Sequence, residues 1–342
     1  MQCANSDRAE CPGAGLVTDT ADLGLPPSKA LVVTGAPNWK PQDRFLAAEV
    51  VRPVVVVSAA GVRPVAFFDR FRDRGVSAVQ PGPAGESVIF ALPDAISRVS
   101  LDTGEAKVLD VPDLDDIHEV TLVADAILIA NTGKDEVVEL DSATGDVRMR
   151  HSLARFRSGS ARPLPGRDET FHLNQAFTGE QGQLMVLVHH AVGFRLLAHA
   201  QRHLVRHGSG GVLDLQSGHS FDLRLFAPHN VRRTNTGWLV NNSGRHEVLL
   251  LTPGWEPAGV LPILGFGRGA CLTPDGSVVF AGISATRKRY ATPGDRAETG
   301  IQAVPLDGSP GAFLPLQMME QVNNVEMWDL ELADRLLGLP AG

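Results

Sequence analysis

Two stretches of this sequence decide the fold. Residues 116–147 read DIHEVTLVADAILIANTGKDEVVELDSATGDV, and residues 228–259 read PHNVRRTNTGWLVNNSGRHEVLLLTPGWEPAG. They align without a gap when His118 is placed over His229, a separation of 111 positions. The turn residues then match in type: Asn131 with Asn242, Gly133 with Gly244, and Glu136 with Glu247. Each stretch contains short apolar strand patterns separated by turns, and a unit of about 40 residues with four such strands is typical of a β-propeller blade.

Weaker copies of this unit occur elsewhere in the chain. They lie at residues 86–111, 171–190 and 265–284. The strand patterns at residues 29–35 and 53–59 lack an inner partner, and the pattern at 323–332 lacks a following hairpin. We therefore predict an all-β, six-bladed β-propeller that is closed by N- and C-terminal strands. The alternative, a two-sheet sandwich, does not account for a gap-free repeat of this length.

The composition fits one large domain. The chain has 342 residues, of which 43% are hydrophobic and 20% are charged, and this is enough to build a sizeable core. We expect a flexible leader at residues 1–29 and a single propeller domain at residues 30–342. Residues 194–209 have apolar positions at helical spacing, which predicts a cap. Together with the polar loop at residues 285–299, this insertion would form a lid over the site.

The charge and the hydropathy of the chain exclude several classes of partner. The formal net charge of −8 argues against nucleic acid or an anionic membrane, since both favour a basic surface. No apolar run approaches the roughly 20 residues that a membrane-spanning helix needs. The first 30 residues lack the basic and apolar regions of a secretory signal. We therefore expect a cytoplasmic protein that acts on a small molecule.

Three histidines are predicted to meet on the propeller axis. The first strand of each blade lines the central channel, so equivalent early positions in these strands converge. His118 and His229 are equivalent in the repeat, and the motif FHLN puts His172 at the start of the intervening blade. Neutral imidazole is a good ligand for iron and zinc. The sequence therefore predicts one divalent metal ion, Fe(II) or Zn(II), at these three residues, and hydrogen-bonding histidines that line the channel are the structural alternative.

Further candidate residues surround this triad. Arg268 opens the next blade and suits a carboxylate or phosphate on the substrate, while Arg287 lies in a basic loop that would attract an anion. Glu326, in the C-terminal strand, could bind the metal, orient a ligand histidine or act as a general base. Asn174 and Asn324 are candidate substrate contacts.

Strand alternation and neighbouring histidines give two further expectations. Side chains alternate between the two faces of a strand, so Glu119 and Asn230, which each follow a candidate ligand, should face away from the axis. His189 and His190 end a strand in the same blade as His172, and one of them could reach the pocket. The sequence has no GxSxG or Walker A motif, so nucleotide binding and serine hydrolase chemistry lack support.

A series of motifs resembles a bacterial family of predicted six-bladed propellers of unknown function. The resemblance covers residues 116–332 and rests on HE at 118–119, HLN at 172–174, PH at 228–229, NSG at 242–244, GFGRG at 265–269 and a terminal strand with Glu326. The family pattern has glycine after HLN and serine after PH, where this chain has Gln175 and Asn230. The resemblance implies the propeller fold but no substrate.

The site type is also similar to that of propellers that hold a metal on the axis. Carotenoid-cleaving oxygenases bind iron through histidines, and the lyase that completes peptide amidation binds zinc, whereas gluconolactonase-like propellers use other donors for calcium-type ions. Since fold alone does not fix function, three functions stay open for this chain. The first is an Fe(II)-dependent oxidoreductase that acts on a small anionic molecule, the second is a zinc-dependent lyase or hydrolase, and the third is a non-catalytic interaction scaffold.

Overall fold

A computed structural model describes residues 14–38, 44–157, 169–191, 208–285 and 298–341. Within these ranges the chain forms six β-sheets arranged as the six blades of a propeller, so the predicted fold is confirmed. Arg287 and residues 194–207 of the predicted cap lie outside the described residues. Among the described residues, no helix is long and apolar enough to cross a lipid bilayer.

Blade 1 joins the two ends of the chain, as the sequence predicts. Its strands are β2 (Lys29–Ala36), β3 (Val54–Ser58), β4 (Gly61–Pro64) and β25 (Gln321–Asp329). Strand β25 is the innermost and pairs antiparallel with β2, with Met327 opposite Leu31. The C-terminal strand therefore closes the ring through backbone hydrogen bonds.

Blades 2 to 5 each take four consecutive strands, and the first of them lines the channel. Blade 2 contains β5 (Ala78–Pro81), β6 (Ser87–Leu92), β7 (Ala95–Ser100) and β8 (Ala106–Val108). Blade 3 contains β9 (Ile117–Val123), β10 (Ala126–Asn131), β11 (Glu136–Asp141) and β12 (Val147–Ser152). Blade 4 contains β13 (Leu173–Thr178), β14 (Leu184–Val188), β15 (Gly210–Asp214) and β16 (Ser220–Leu225). Blade 5 contains β17 (Pro228–Thr234), β18 (Gly237–Asn242), β19 (Glu247–Leu251) and β20 (Pro257–Pro262).

Blade 6 has an additional strand from the N-terminal segment. It contains β21 (Phe266–Leu272), β22 (Val278–Ser284), β23 (Gly300–Pro305), β24 (Ala312–Pro315) and β1 (Gly15–Leu16). Strand β1 pairs parallel with β24, and Leu23 is buried. Part of the segment for which the sequence predicts a flexible leader thus packs against the propeller.

The described helices are short. Within the described ranges, one α-helix is present: α1 (Leu330–Leu337) follows the closing strand, and its Ala333 and Leu336 are buried. The 3-10 helices are Thr20–Leu23, Ala66–Phe71, Thr132–Lys134, Leu153–Phe156 and Ser243–Arg245.

The hydrophobic core lies between the blades. Six large clusters of buried side chains each join two neighbouring blades within the described residues. The middle strands are covered on both faces, which explains why Val54, Val55, Val56 and Val57 are all fully buried and why these strands read as continuous apolar runs. Each such side chain contributes about 1.5–3 kcal/mol on burial.

The inner strands carry β-bulges at one end of the channel. Pairing slips by a residue or more in five of the six innermost strands, near His118, Asn174, Asn230, Arg268 and Asn323. A bulge adds an unpaired residue, bends the strand and redirects side chains. Strict alternation therefore fails at this end of the channel, and consecutive residues can both face inward.

Candidate functional site

A cavity of about 630 Å³ opens where these bulges lie. Its wall includes His118, His172 and His229, so the structure brings the three predicted histidines together. The rings of His118 and His172 have centroids 4.9 Å apart, and those of His118 and His229 are 6.4 Å apart and nearly parallel. His118 and His229 lie within inner strands, whereas His172 precedes β13 in left-handed backbone with φ 53°.

A fourth histidine completes this group. His189 follows β14, and its ring centroid lies 4.4 Å from that of His172 and 5.2 Å from that of His229. We call His118, His172, His189 and His229 the histidine cluster. The sequence signal for His189 was its place at the end of a strand in the His172 blade. That signal could not separate His189 from His190. His190 also lines the cavity, and its Nδ1 lies 3.0 Å from Ser209 Oγ.

Asn174 and Glu169 hold the rings of His118 and His172 in place. His118 Nδ1 lies 2.7 Å from Asn174 Oδ1, and His172 Nδ1 lies 2.8 Å from Glu169 Oε2. An amide oxygen and an ionised carboxylate only accept hydrogen bonds, so each Nδ1 carries a proton. In the neutral ring, Nε2 then keeps its lone pair. Metal-binding histidines in proteins are oriented by the same kind of partner.

The other two rings also leave Nε2 available. His229 Nδ1 lies 3.0 Å from the Ala227 carbonyl oxygen and 3.0 Å from Ser243 Oγ. His189 Nε2 is buried and makes no hydrogen bond within the described part of the chain. A buried polar atom without a partner carries a free-energy cost of about 1–3 kcal/mol. A ligand that bonds to this nitrogen would remove that cost.

Two carboxylates border the cluster. Asp116 Oδ1 lies 3.4 Å from His118 Nε2. Atoms of Asp116, Glu169 and His172 that can bind a metal lie within 4.8 Å of one another. The site therefore offers oxygen donors at one edge in addition to the imidazoles, although the sequence argument named neither acid.

Burial favours the neutral form of His172, His189 and His229. It lowers the pKa of His172, and it lowers the pKa values of His189 and His229 well below that of a free imidazole, with the positive charge of Arg268 adding to the effect at His229. Desolvation disfavours the charged ring. Neutral imidazole is also the form that binds metals. The positive charge of a protonated His118 lowers the pKa of Asp116, against the opposing effect of burial.

Arg268 lines the same cavity, as expected for a substrate anchor. Its Nη1 donates to Gln321 Oε1 at 2.9 Å and to Asn323 Oδ1 at 3.0 Å. Two neutral amides thus hold the guanidinium in one orientation. Asn174 also lines the cavity, through the same amide that contacts His118.

The structure places Glu326 and Asn324 elsewhere. Among the described residues that line the cavity, neither of these two occurs. Glu326 accepts hydrogen bonds from Arg232 and from Gln80 Nε2, the latter at 2.8 Å. The pairing of β25 slips at Asn323, and Asn323 contacts Arg268. Asn324 and Glu326 instead bond to Glu119 and Arg232, respectively.

Glu119 and Asn230 belong to a buried polar layer in the channel, contrary to the prediction from strand alternation. Asn324 Nδ2 donates to Glu119 Oε1 at 2.7 Å, and Asn230 Oδ1 accepts from the Ala270 amide at 3.0 Å. Glu119 and Asn230 thus face the channel, and both line the cavity. The prediction that they face away is wrong, because the bulges interrupt the alternation. Burial raises the pKa of Glu119 to about 8, against the opposing effect of Arg232.

Comparisons with known proteins support the fold alone. No family model and no curated protein sequence matches this chain. A solved nidogen/laminin complex contains a chain that is 11% identical, with 87% of this chain and 98% of that chain covered and a TM-score of 0.58. A protein of unknown function from Bacteroides caccae is 12% identical, with 87% and 98% covered and a TM-score of 0.56. A putative 6-phosphogluconolactonase from Bacteroides fragilis is 12% identical, with 88% and 98% covered and a TM-score of 0.52.

These neighbours share the propeller architecture with this chain, and one of them is itself of unknown function. Identities of 11% and 12% do not transfer an activity, since one fold hosts many functions. The family resemblance carried by the motif series stays a prediction.

Proposed function

We propose that this protein is a metal-dependent enzyme whose histidine cluster binds one divalent ion. His118, His172 and His229 would bind it through Nε2, and His189 would add a fourth imidazole. Asp116 and Glu169, whose ligand atoms already lie within 4.8 Å of that of His172, border the same position. The observation that carries the proposal is the convergence of four rings in one cavity, with the Nδ1 atoms of three already engaged. The buried His189 Nε2, which lacks a hydrogen bond in the described structure, fits the same ion.

Donor chemistry narrows the choice of metal. Imidazole ligation suits iron and zinc, and the described cysteine, Cys271, belongs to a core cluster rather than to the cavity. We favour Fe(II) and an oxidoreductase because the predicted donors are nitrogens. Zinc with lyase or hydrolase chemistry is the alternative for the same residues. Iron would supply redox chemistry, and zinc would supply Lewis-acid activation of water or of a substrate hydroxyl.

The remaining side chains of the cavity have separate roles in this proposal. Asn174 and Glu169 hold the rings of His118 and His172 in one tautomer and orientation. Arg268 binds a negatively charged group of the substrate and orients it. Asp116, 3.4 Å from His118 Nε2, takes over the role of ligand or proton acceptor that the sequence argument gave to Glu326.

Elemental analysis tests the proposal. The full chain is purified without an affinity tag or a chelator, beside the double variant His118→Ala/His229→Ala. A second double variant, His151→Ala/His219→Ala, removes two histidines that do not line the cavity and serves as the control. Near-stoichiometric metal in the wild type and in the control, lost in the first variant, would support the site.

The identity of the metal then separates the candidate activities. Iron directs the assays to oxygen-dependent reactions, and zinc directs them to lyase or hydrolase reactions. Absence of metal from every sample, with reconstitution by Fe(II) and Zn(II) also failing, would overturn the proposal. An interaction scaffold would then be the best description of the protein.

A further inference from the structure

The wall of the cavity beside blades 1 and 6 contains two connected guanidinium groups. Arg268 Nη1 donates to Gln321 Oε1 at 2.9 Å. Gln321 in turn donates from Nε2 to Asn38 Oδ1, and the Asn38 carbonyl oxygen accepts from Arg44 Nε at 3.0 Å. Arg44 and Arg268 both line the cavity. A chain of neutral amides therefore fixes these two arginines relative to each other.

A buried carboxylate holds the segment that carries Arg44. Glu320 has no exposed surface. Its Oε1 accepts from the backbone amides of Phe45 at 2.7 Å and Leu46 at 2.8 Å, and its Oε2 accepts from the amide of Asn38 at 2.5 Å. Charge-assisted hydrogen bonds of this kind are stronger than neutral ones. Glu320 thus anchors the backbone on both sides of Arg44 at the mouth of the cavity.

The cavity is lined by carboxylates as well as by arginines. Asp116 and Glu169 lie against His118 and His172. Arg268 donates to the side chains of Gln321 and Asn323 and lines the same cavity as the histidine cluster. A small molecule can therefore touch this arginine and the histidine cluster at once.

Arg74 is a third arginine in the wall of the cavity. The guanidinium of Arg74 forms an ion pair with Asp94, and both side chains are largely exposed. Arg74 lines the same cavity but sits outside the amide chain described above. It provides a natural comparison, since replacing it removes the same charge from the same cavity.

We propose that Arg44 and Arg268 form an oxyanion-binding site for the substrate, and that Glu320 is a positioning residue that acts through Arg44. This inference rests on the proposed function and specifies its substrate class: a small molecule with a terminal carboxylate or phosphate, whose other end reaches the histidine cluster. Arginine suits this task because its planar fork binds two oxygens of one anion and stays charged at every relevant pH.

Calorimetric titration with malonate and with inorganic phosphate tests the site. Both probes are added to the full chain after chelator treatment and again after metal reconstitution. We expect one of the probes to bind, and Arg44→Gln and Arg268→Gln each to weaken that binding about tenfold or more, as expected for a lost charge-assisted hydrogen bond. Arg74→Gln should bind as the wild type does. The probe that binds more tightly identifies the anion as a carboxylate or a phosphate.

A double-mutant cycle tests the role of Glu320. Glu320→Gln alone should weaken binding of the probe, but it should add nothing in the Arg44→Gln background, because it acts only through that arginine. A purely structural role would give equal losses in both backgrounds. Unfolding midpoints of all variants confirm that they are folded.

Different results would contradict the oxyanion site and the metal site. If neither probe binds in either metal state, or if Arg74→Gln loses as much affinity as Arg268→Gln, the oxyanion site is wrong. Neither result would alter the metal content of the wild type. Conversely, a wild type that is purified without metal and takes up neither Fe(II) nor Zn(II) on reconstitution, but binds malonate through Arg44 and Arg268, would overturn the metal proposal alone.

Discussion

Asn174 Oδ1 lies 2.7 Å from His118 Nδ1 in the preceding blade. The Nδ2 atom of the same amide donates to the Pro228 carbonyl oxygen at 2.5 Å, and Pro228 directly precedes His229 in the next blade. One amide on β13 therefore ties together the inner strands of blades 3, 4 and 5. These three blades supply the whole histidine cluster.

The first prediction concerns this amide. Asn174→Leu removes the acceptor that holds His118 in the Nδ1-protonated form, so we expect metal affinity to fall roughly 10- to 100-fold, as for other residues that orient metal ligands. Competition against a chromophoric chelator measures this change. The exposed turn variant Asn235→Leu is the control. Equal affinity in Asn174→Leu and the wild type would show that the amide does not orient a ligand.

His189 is the subject of the second prediction. Its unpartnered Nε2 costs stability in the metal-free protein, so His189→Leu should raise the free energy of unfolding by about 1 kcal/mol when metal is removed. With metal present the order should reverse, because a bound ligand stabilises the folded state and the variant has lost a donor. Thermal unfolding with and without metal measures both effects. The same response to metal in both proteins would remove His189 from the ligand set.

The asparagines that match in the repeat, Asn131 and Asn242, have a structural role. Asn131 Oδ1 accepts from the Asp115 amide at 2.7 Å, and its Nδ2 donates to Glu136 Oε1 at 2.8 Å. Asn242 makes the same two bonds in the equivalent turn of blade 5. Its Oδ1 accepts from the Phe226 amide and its Nδ2 donates to Glu247 Oε1, at 2.6 Å each. The sequence showed the spacing because blade architecture constrains these turn residues. The same constraint explains why closure by the two chain ends could be predicted.

The third prediction follows from this equivalence. Asn131→Ala and Asn242→Ala each leave a backbone amide without its acceptor, so each should lower the free energy of unfolding by about 1–3 kcal/mol. Urea denaturation measures both. The exposed Asn235→Ala should stay within about 0.5 kcal/mol of the wild type. Very different costs for the two buried asparagines would show that the repeat does not have one structural role.

The details of the site could be predicted only in part. Convergence of His118, His172 and His229 followed from the repeat and from propeller geometry. The positions of Glu119 and Glu326 did not, because a β-bulge is a local slip in pairing that apolar patterning does not reveal. Contacts between distant segments, such as that of Asn174 with His118, also depend on tertiary structure.

Glu326 provides the fourth prediction. It pairs with Arg232, and the two side chains are each 17% exposed. Glu326→Leu should lower the free energy of unfolding by about 3–5 kcal/mol, because it leaves the charge of the Arg232 guanidinium without its carboxylate partner. Metal content should not change. The double variant Glu326→Leu/Arg232→Met, which removes both charges, should recover much of the loss. Loss of metal in the folded double variant would restore Glu326 as a ligand.

Cys271 gives the last prediction, which concerns pH. Burial raises the pKa of its thiol, and the negative charge of Glu326 adds to the shift. The unfolded chain therefore releases this proton near the free-thiol pKa of about 8.5 while the folded chain keeps it. Since the unfolded state then binds fewer protons, stability must fall as pH rises above that value, by at most about 1.4 kcal/mol per pH unit.

A variant without the thiol separates the contribution of Cys271 to this pH dependence of stability from that of other groups that titrate in the same range. In a Cys3→Ser/Cys11→Ser background, which leaves one cysteine, Cys271→Ala should flatten the fall in unfolding free energy between pH 8 and 10. Iodoacetamide should label Cys271 slowly in the native protein at pH 8.5 and rapidly in urea, because only the thiolate reacts. Rapid native labelling, or identical slopes with and without the thiol, would contradict a buried, protonated Cys271.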